Sequence, residues 1–443
     1  MLAFATAAAL LTPQTPAAAA PSPPPSAADA VLLAATPIQQ QVEQICGAKF
    51  TGPVAMRAMT RAQMQQYAEE RVDRELGDGR LERMDGWLHA LALLRSEQSF
   101  RTEAVKLLVG QTAAVYDSDA KVLRLLDDTA ATGPWYARYT IAHELAHALD
   151  DQTVGIDRLT LPAGHQPTKD QMFATGAVIE GSAIAVSDAW AALEPPTAAD
   201  QQLTPAAQQD AARSNAALLS APAYCTLMIG RHLTGRLFFA AGHALKKIPD
   251  EDYLGLLTIR DALPASTEQI LHPRKFWLEQ ERDPPVTLAD DDAVAAAIGQ
   301  KLDGLRVLDR NTLGELVAAL LAQPIERKLD LARVRRPEAW TNAAATGWGG
   351  DRLFLVGSKG GTASAAVEGP GVVWITAWDT VPDREEFVAA LQQHRGSTPG
   401  FAHAVLGRAA AFAFGSARTL DATALLALLA GCRFVRDGAD WTP

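Results

Sequence analysis

Cysteine is scarce in this 443-residue sequence: Cys46, Cys225 and Cys432 are all it contains, and no two of them form a CxxC pair. That disfavours a metal site built from thiolates. The odd number leaves either one disulfide with a spare thiol or three buried thiols. Positive charge is also short. With 40 basic against 51 acidic residues the net charge is −11, which argues against nucleic acid or an anionic membrane surface as a partner. Beyond the N-terminus no apolar run is long enough to cross a bilayer, so no stable transmembrane segment is expected. No internal repeat is present. Gly347, Gly349 and Gly350 are not followed by Lys-Ser or Lys-Thr, so they suit turns rather than a phosphate loop.

What is present is an ordinary globular balance, 48% hydrophobic and 21% charged, with length for two or three domains of roughly 150 residues each. The first residues read as a leader: an apolar stretch from Leu2 to Leu11, then AAAA ending at Ala20. A signal peptide over 1–20 and an Ala/Pro-rich linker over 21–36 are expected, which implies export to a periplasmic or extracellular space. The n-region is uncharged, the first basic residue being Lys49, and a plain disordered leader is the alternative.

The pattern then predicts an α+β protein. A short helix is expected from Ile38 to Ile45 and a strand from Pro53 to Met59. Thr60 opens a helix with Gln63 as its capping-box partner, and a further helix covers Leu81 to Leu94. Ala113 to Leu126 alternates around Asp117–Asp119 and reads as a hairpin or edge strand. Helices follow over Trp135–Asp151, Lys169–Leu193 and 206–247. After a charged helix and linker around Glu326–Pro337, GWGGDRLFLVG, GVVWITAWD and AAFAFG read as strands and DREEFVAALQQH and DATALLALLAG as helices. The expected division is a mostly helical domain over 37–330 and a separate small α+β domain over 335–443, a docking or substrate-presenting module in which Trp348, Trp374 and Trp378 serve the core.

Chemistry concentrates in HELAH, residues His143 to His147. Histidines four apart on a helix lie about 40° apart around its axis, so both imidazoles can reach one Zn²⁺. Ile141, Leu145, Ala148 and Leu149 fall on the other face and would bury the helix with its ligands in a cleft. Glu144 sits at about 100° from His143, beside the metal, where it can act as general base on a water that zinc acidifies. A chance match would instead leave the histidines hydrogen-bonded on a buried helix. A catalytic site also needs a third protein ligand and an open position. Asp150 and Thr153 stand where a metzincin continuation would place Gly and His, so that route is closed. Glu180, in VIEGSAIAVSD, is the preferred third ligand, with Gly181 and Ala183 allowing a close helix approach; His165, Asp170 and Asp188 are its rivals. Asp150, Asp151 or Asp188 could orient a ligand histidine, though Asp150 and Asp151 could equally be polar residues at a helix end.

Taken in order, YDSDAKVLRL (Tyr116–Leu125), AHELAHALDDQ (Ala142–Gln152), IEGSA (Ile179–Ala183), STEQILHPRKF (Ser266–Phe276) and GWGGDRLFL (Gly347–Leu355) resemble the gluzincin metallopeptidases. Within them the likeness is to a group of uncharacterised exported bacterial zincins. The resemblance implies a zincin-like fold, zinc held by His143, His147 and Glu180, Glu144 as base, and a peptide or protein substrate. It also implies a substrate-holding edge strand, for which Lys121–Leu126 stands in the matching place. Thermolysin-like members carry Asp four residues after the ligand Glu, where this sequence has Ile184, leaving the orienting role to Asp188 or Asp151. Two other readings stay open: a non-catalytic binding protein on the same scaffold, and a zinc amidase acting on a cell-wall amide.

STEQILHP has two readings of its own. Ser266 can cap a short helix with Gln269 reciprocating and Pro273 ending it. Alternatively His272, held extended before Pro273, steadies an oxyanion in the cleft. Tyr136, Tyr139, Tyr224, His232 and His243 are further candidates for that role.

Overall fold

The computed structural model describes residues 31–32, 35–77, 79–160, 166–202, 204–249, 252–358, 369–396 and 401–443. The expected leader and most of the linker after it lie outside the described residues, as does His165. The chain is α+β, with long helices gathered in the N-terminal two-thirds and the largest sheet at the C-terminal end.

Helix α1 (Ala35–Cys46) leads to β1 (Ala55–Met59), α2 (Arg61–Glu75), α3 (Arg80–Ala90) and α4 (Phe100–Gln111). The Thr60–Gln63 capping box is formed in full. Helix α3 ends before Leu94, and α4, capped by Ser99, was not foreseen. Strands β2 (Ala114–Asp117) and β3 (Val122–Leu126) form the expected antiparallel hairpin. Asp117 Oδ1 accepts the N–H groups of Asp119 and Ala120 and so fixes its turn.

The sheet order β1-β3-β2 corrects the expected edge strand. Lys121–Leu126 is not an edge, because β1 pairs in parallel along the free side of β3, from Ala55↔Val122 to Met59↔Leu126. The edge toward the HELAH helix is β2. A hairpin pattern alone cannot say which of its strands receives a third, and here the more apolar one did.

Three long helices form the heart of the N-terminal part: α5 (Pro134–Thr153), α6 (Lys169–Leu193) and, after α7 (Pro205–Ser220), α8 (Ala223–Lys246). Ile141, Leu145, Ala148 and Leu149 of α5 are fully buried, packing with Trp190 of α6 and Ile38 and Val42 of α1. Helix α6, whose Thr168 and Gln171 form a second capping box, corrects the expectation that no run is long and apolar enough to cross a bilayer: it is, by length and composition, but more than half of that stretch is buried inside the protein. It crosses α8 with almost no side chain between them. A Cβ on Gly181 would lie 2.3 Å from the carbonyl carbon of Gly235, and one on Gly235 would lie 1.8 Å from Ala177 O.

Further on come α9 (Thr267–Leu271), β4 (Thr287–Leu288), α10 (Asp291–Lys301), β5 (Leu305–Asn311) and α11 (Gly314–Leu321). The remaining elements are β6 (Trp348–Ser358), β7 (Gly371–Trp378), α12 (Val381–Arg395), β8 (Ala402–Leu406), β9 (Ala409–Gly415), α13 (Ala422–Ala430), β10 (Phe434–Arg436) and β11 (Ala439–Trp441). The five-stranded antiparallel sheet has the order β5-β6-β7-β9-β8.

Two expectations about this region are corrected. The sheet does not start near residue 335: β5 already belongs to it, and β4 pairs with β10. Nor is it separate, since Trp374, Trp378 and Phe387 share one continuous core with Trp87 and Leu88 of α3. The expected charged helix around Glu326–Pro337 is irregular chain ending in a short 3₁₀ turn at Pro337–Ala339, as two prolines and no apolar period would have it. Trp348, Trp374 and Trp378 are fully buried, as expected. Gly347 is in a turn with φ +84°, but Gly349 and Gly350 lie in a bulged strand, where Gly350 lets the Val286 carbonyl approach. All three thiols are free.

Replacing Gly235 by Ala should force α6 and α8 apart and lower unfolding stability by about 2–3 kcal/mol, read by urea denaturation. Gly299→Ala, in α10 where the new methyl meets open space, should instead stabilise by up to about 1 kcal/mol. Equal effects at the two positions would contradict the close crossing.

Candidate metal centre

Helices α5, α6 and α8 and the edge strand β2 enclose a cleft of about 370 Å³, lined on the α5 side by Tyr136, Tyr139, Thr140, His143, Glu144 and His147. These residues share one helix face, while the opposite face is core. The Gly181–Gly235 crossing brings Glu180 of α6 and Arg231 and His232 of α8 to the same place.

Here three donor atoms converge. His143 Nε2 and His147 Nε2 lie 3.2 Å apart, and Glu180 Oε2 is 3.5 Å from the first and 3.3 Å from the second. Ligands at about 2.0–2.2 Å from a tetrahedral metal stand about 3.3–3.6 Å from one another. The three edges therefore fit a single ion, and the group could hold one. Glu180 is deeply set, its side chain 13% exposed. Burial would raise its carboxyl pKa. The charge of His232 and hydrogen bonds from His143, His147 and His232 overcome that and hold it well below the ordinary value.

Glu144 is placed beside the group rather than in it. Its Oε2 accepts the backbone N–H of Tyr116 at 2.6 Å, which pins the carboxylate to strand β2. The same tyrosine donates its hydroxyl to Asp151 at 2.8 Å, and Lys121 Nζ meets that oxygen at 2.6 Å. Asp151 thus holds β2 to α5.

The other candidates separate clearly. His232 reaches Glu180 Oε2 at 2.9 Å from the α8 side, and Arg231 meets Glu180 Oε1 at 3.3 Å. Tyr136 and Tyr139 line the cleft as well. Tyr224 is core, edge-on to Trp87 and Phe100, and His243 Nε2 faces the Asp252 carbonyl. His272 is not among the cleft-lining residues. Its Nε2 lies 2.9 Å from Glu315, which also accepts from Thr341.

Ser266 caps α9 by accepting the Gln269 N–H, but Gln269 does not reciprocate, its side chain taking the Ala265 N–H and donating to the Asp283 carbonyl; the rest of STEQILHPRKF is internal framework. Thr267 donates to Asp170 through both N and Oγ1, and Lys275 is enclosed by Glu268, Asp283 and Asp379 at 2.6–2.8 Å. Those three carboxylates are close enough to suggest a metal, but the ammonium occupies their shared space.

Of the expected orienting carboxylates, Asp188 is taken by Tyr139 and Arg236, and Asp151 by Tyr116 and Lys121. Asp150 is buried beside Ser182 at 3.3 Å, and His147 Nδ1 has no hydrogen-bond partner among the described residues. The sequence reading missed Arg231 altogether. The available signal was the Met228–His232 spacing of four on a helix, which puts the Arg-His pair beside a face that lines the cleft.

Over residues 301–423 the chain matches the model of a family described as a domain of unknown function, DUF8575. That stretch holds all five strands of the antiparallel sheet and none of the cleft residues. No curated protein and no solved structure matches the chain.

Asp170, a rival ligand, is instead a buried group at the start of α6. Burial pushes its pKa up to about 7; the Thr267 hydrogen bonds pull the other way, and Asp351 and Glu315 add to the rise. The unfolded value is about 3.9. Between the two, the folded chain holds a proton that the unfolded chain lacks. This contribution to stability is complete below about pH 4, declines as pH rises and is gone above about pH 7. Asp170→Asn should therefore reduce the loss of stability between pH 5 and pH 8 by about 2 kcal/mol, measured by urea denaturation at each pH. Parallel pH profiles for the two proteins would refute it.

Proposed function

We propose that the chain is a zinc-dependent peptidase with a zincin-like arrangement of hairpin and paired helices, and that His143, His147 and Glu180 hold the metal. The observation that carries this reading is the near-equilateral triangle of donor atoms, with edges of 3.2, 3.3 and 3.5 Å. Nitrogen and carboxylate oxygen donors without thiolate suit zinc in a catalytic setting. When bound, zinc supplies Lewis acidity, polarising a carbonyl and acidifying water.

The chain's own groups perform the rest. Glu144, fixed by the Tyr116 N–H through one oxygen, has its other oxygen for taking a proton from the attacking water and returning it to the leaving amine. His232 lines the cleft and reaches Glu180 from the α8 side, which makes it the donor placed to steady a developing oxyanion; His272, outside the cleft lining, is not. Strand β2, not β3, presents its edge to the cleft and could align an extended peptide by strand addition.

The test begins with metal analysis. Purified wild-type chain should carry one zinc, and His147→Ala and Glu180→Ala should lose it. Glu144→Gln should keep the zinc and lose about 10²–10⁴-fold in peptide cleavage. A wild type that takes up no zinc, or a Glu144→Gln chain that cleaves as well as wild type, would refute the reading.

A further inference from the structure

The cleft-lining residues include two cations, Arg71 and Arg231, and two carboxylates, Glu144 and Glu180. Arg71 is already engaged by Glu75 at 2.7 Å and by the Tyr67 hydroxyl. Arg231 is not used up in this way. One of its terminal nitrogens meets Glu180 Oε1 at 3.3 Å, while its Nε is buried with no hydrogen-bond partner among the described residues. A guanidinium carries five N–H donors in a planar fork suited to a carboxylate. Its stem is also given a bed: a Cβ on Gly176 of α6 would lie 3.2 Å from Arg231 Cδ, so glycine there lets the side chain lie across the helix.

Resting on the peptidase reading, we infer that Arg231 is a specificity residue that anchors a substrate carboxylate on the residue adjoining the scissile bond. Glu180 turns Oε2 toward the histidines and Oε1 toward Arg231. The guanidinium therefore stands on the far side of the Glu180 carboxylate from the point where the three donor atoms converge, 3.3 Å beyond Oε1. Successive Cα atoms are about 3.8 Å apart, so a peptide whose carbonyl lies at that point brings the side chain or carboxylate of its neighbouring residue within reach of Arg231. With a divalent ion bound, Arg231 and the metal outweigh the charges of Glu144 and Glu180, Arg71 being balanced by Glu75, in a chain whose net charge is −11. The local field thus favours an anion where the protein as a whole repels one. The carboxylate can be a free C-terminus or an acidic side chain, since both present the same group to the fork.

Calorimetric binding to zinc-loaded Glu144→Gln protein tests this without requiring turnover. One probe pair is N-acetyl-Leu-Leu as free acid and as amide; the other is N-acetyl-Leu-Asp-amide and N-acetyl-Leu-Asn-amide. The acid member of at least one pair should bind about tenfold to a hundredfold more tightly, and the pair that discriminates identifies the source of the carboxylate. Adding Arg231→Met should bring that ratio to about one while leaving the amide within about threefold, and Arg231→Lys should recover only part of it. Equal binding of acid and amide overturns the inference, as does a preference that survives Arg231→Met, because the carboxylate would then be meeting the metal itself. A uniform loss for all probes also overturns it, leaving Arg231 as a support for Glu180. Metal content is read on the same samples: zinc present with no acid preference sinks this inference alone, and a chain that takes up no zinc sinks the peptidase reading and this inference with it.

Discussion

Helices α6 and α8 touch backbone to backbone at Gly181 and Gly235, and the residues beside that contact are Glu180 on one helix and Arg231 and His232 on the other. Any side chain at either glycine would separate the helices, so the crossing distance is set by the absence of two Cβ atoms rather than by hydrophobic packing alone. The outcome is a carboxylate surrounded by three imidazoles and a guanidinium. Burying that carboxylate costs several kcal/mol unless its charge is matched, and the histidines of α5 complete the matching from the third side. The helix bearing HELAH has to be held at the same depth. The Tyr116–Asp151 and Tyr116–Glu144 hydrogen bonds do this by tying the β2 edge to α5 at two levels.

The parts of this arrangement that are local in sequence were legible. HELAH on an amphipathic helix, the Thr60 and Ser266 caps, the hairpin and the C-terminal strands all follow from period and cap chemistry within a window of a few residues. Glu180 was also legible, because a carboxylate followed by Gly and Ala on an apolar helix has few bland uses. What could not be read depended on pairing between distant segments. Nothing in Val122–Leu126 says that Ala55–Met59 will cover its free side. Nothing in Leu305–Asn311 says that it will join a sheet whose other strands begin some forty residues later.

The fate of STEQILHPRKF shows a second limit. Buried polar residues that hold two parts of a protein together have the same composition as those that do chemistry. Lys275 gathers Glu268, Asp283 and Asp379, and Arg436 reaches Asp283 and Asp379 from strand β10. His272 pairs with a fully buried Glu315 on α11. The block therefore joins the helical part to the sheet through ionic contacts, in addition to the shared core of Trp87, Trp374 and Trp378. A histidine before proline looked catalytic because the sequence does not disclose that its partner carboxylate is some forty residues away.

Two carboxylates on the one helix α6 separate these roles physically. Asp170 and Glu180 are ten residues apart and both deeply set, yet their neighbours push them in opposite directions. Asp170 is met by the neutral donors of Thr267 with Asp351 and Glu315 nearby, so burial prevails and the group tends to keep its proton. Glu180 is met by the charge of His232 and by hydrogen bonds from three imidazoles, so these outweigh burial and its pKa is held well below the ordinary value. A structural carboxylate needs only its hydrogen bonds satisfied, and its function does not require it to be ionised, although staying neutral costs stability as pH rises. A carboxylate that must bind a cation has to be held deprotonated before the cation arrives, and the surrounding positive groups supply that condition in advance. By this criterion Asp170 belongs to the framework and Glu180 meets the requirement of the proposed centre, a distinction that depends on their neighbours in space and not on the helix they share.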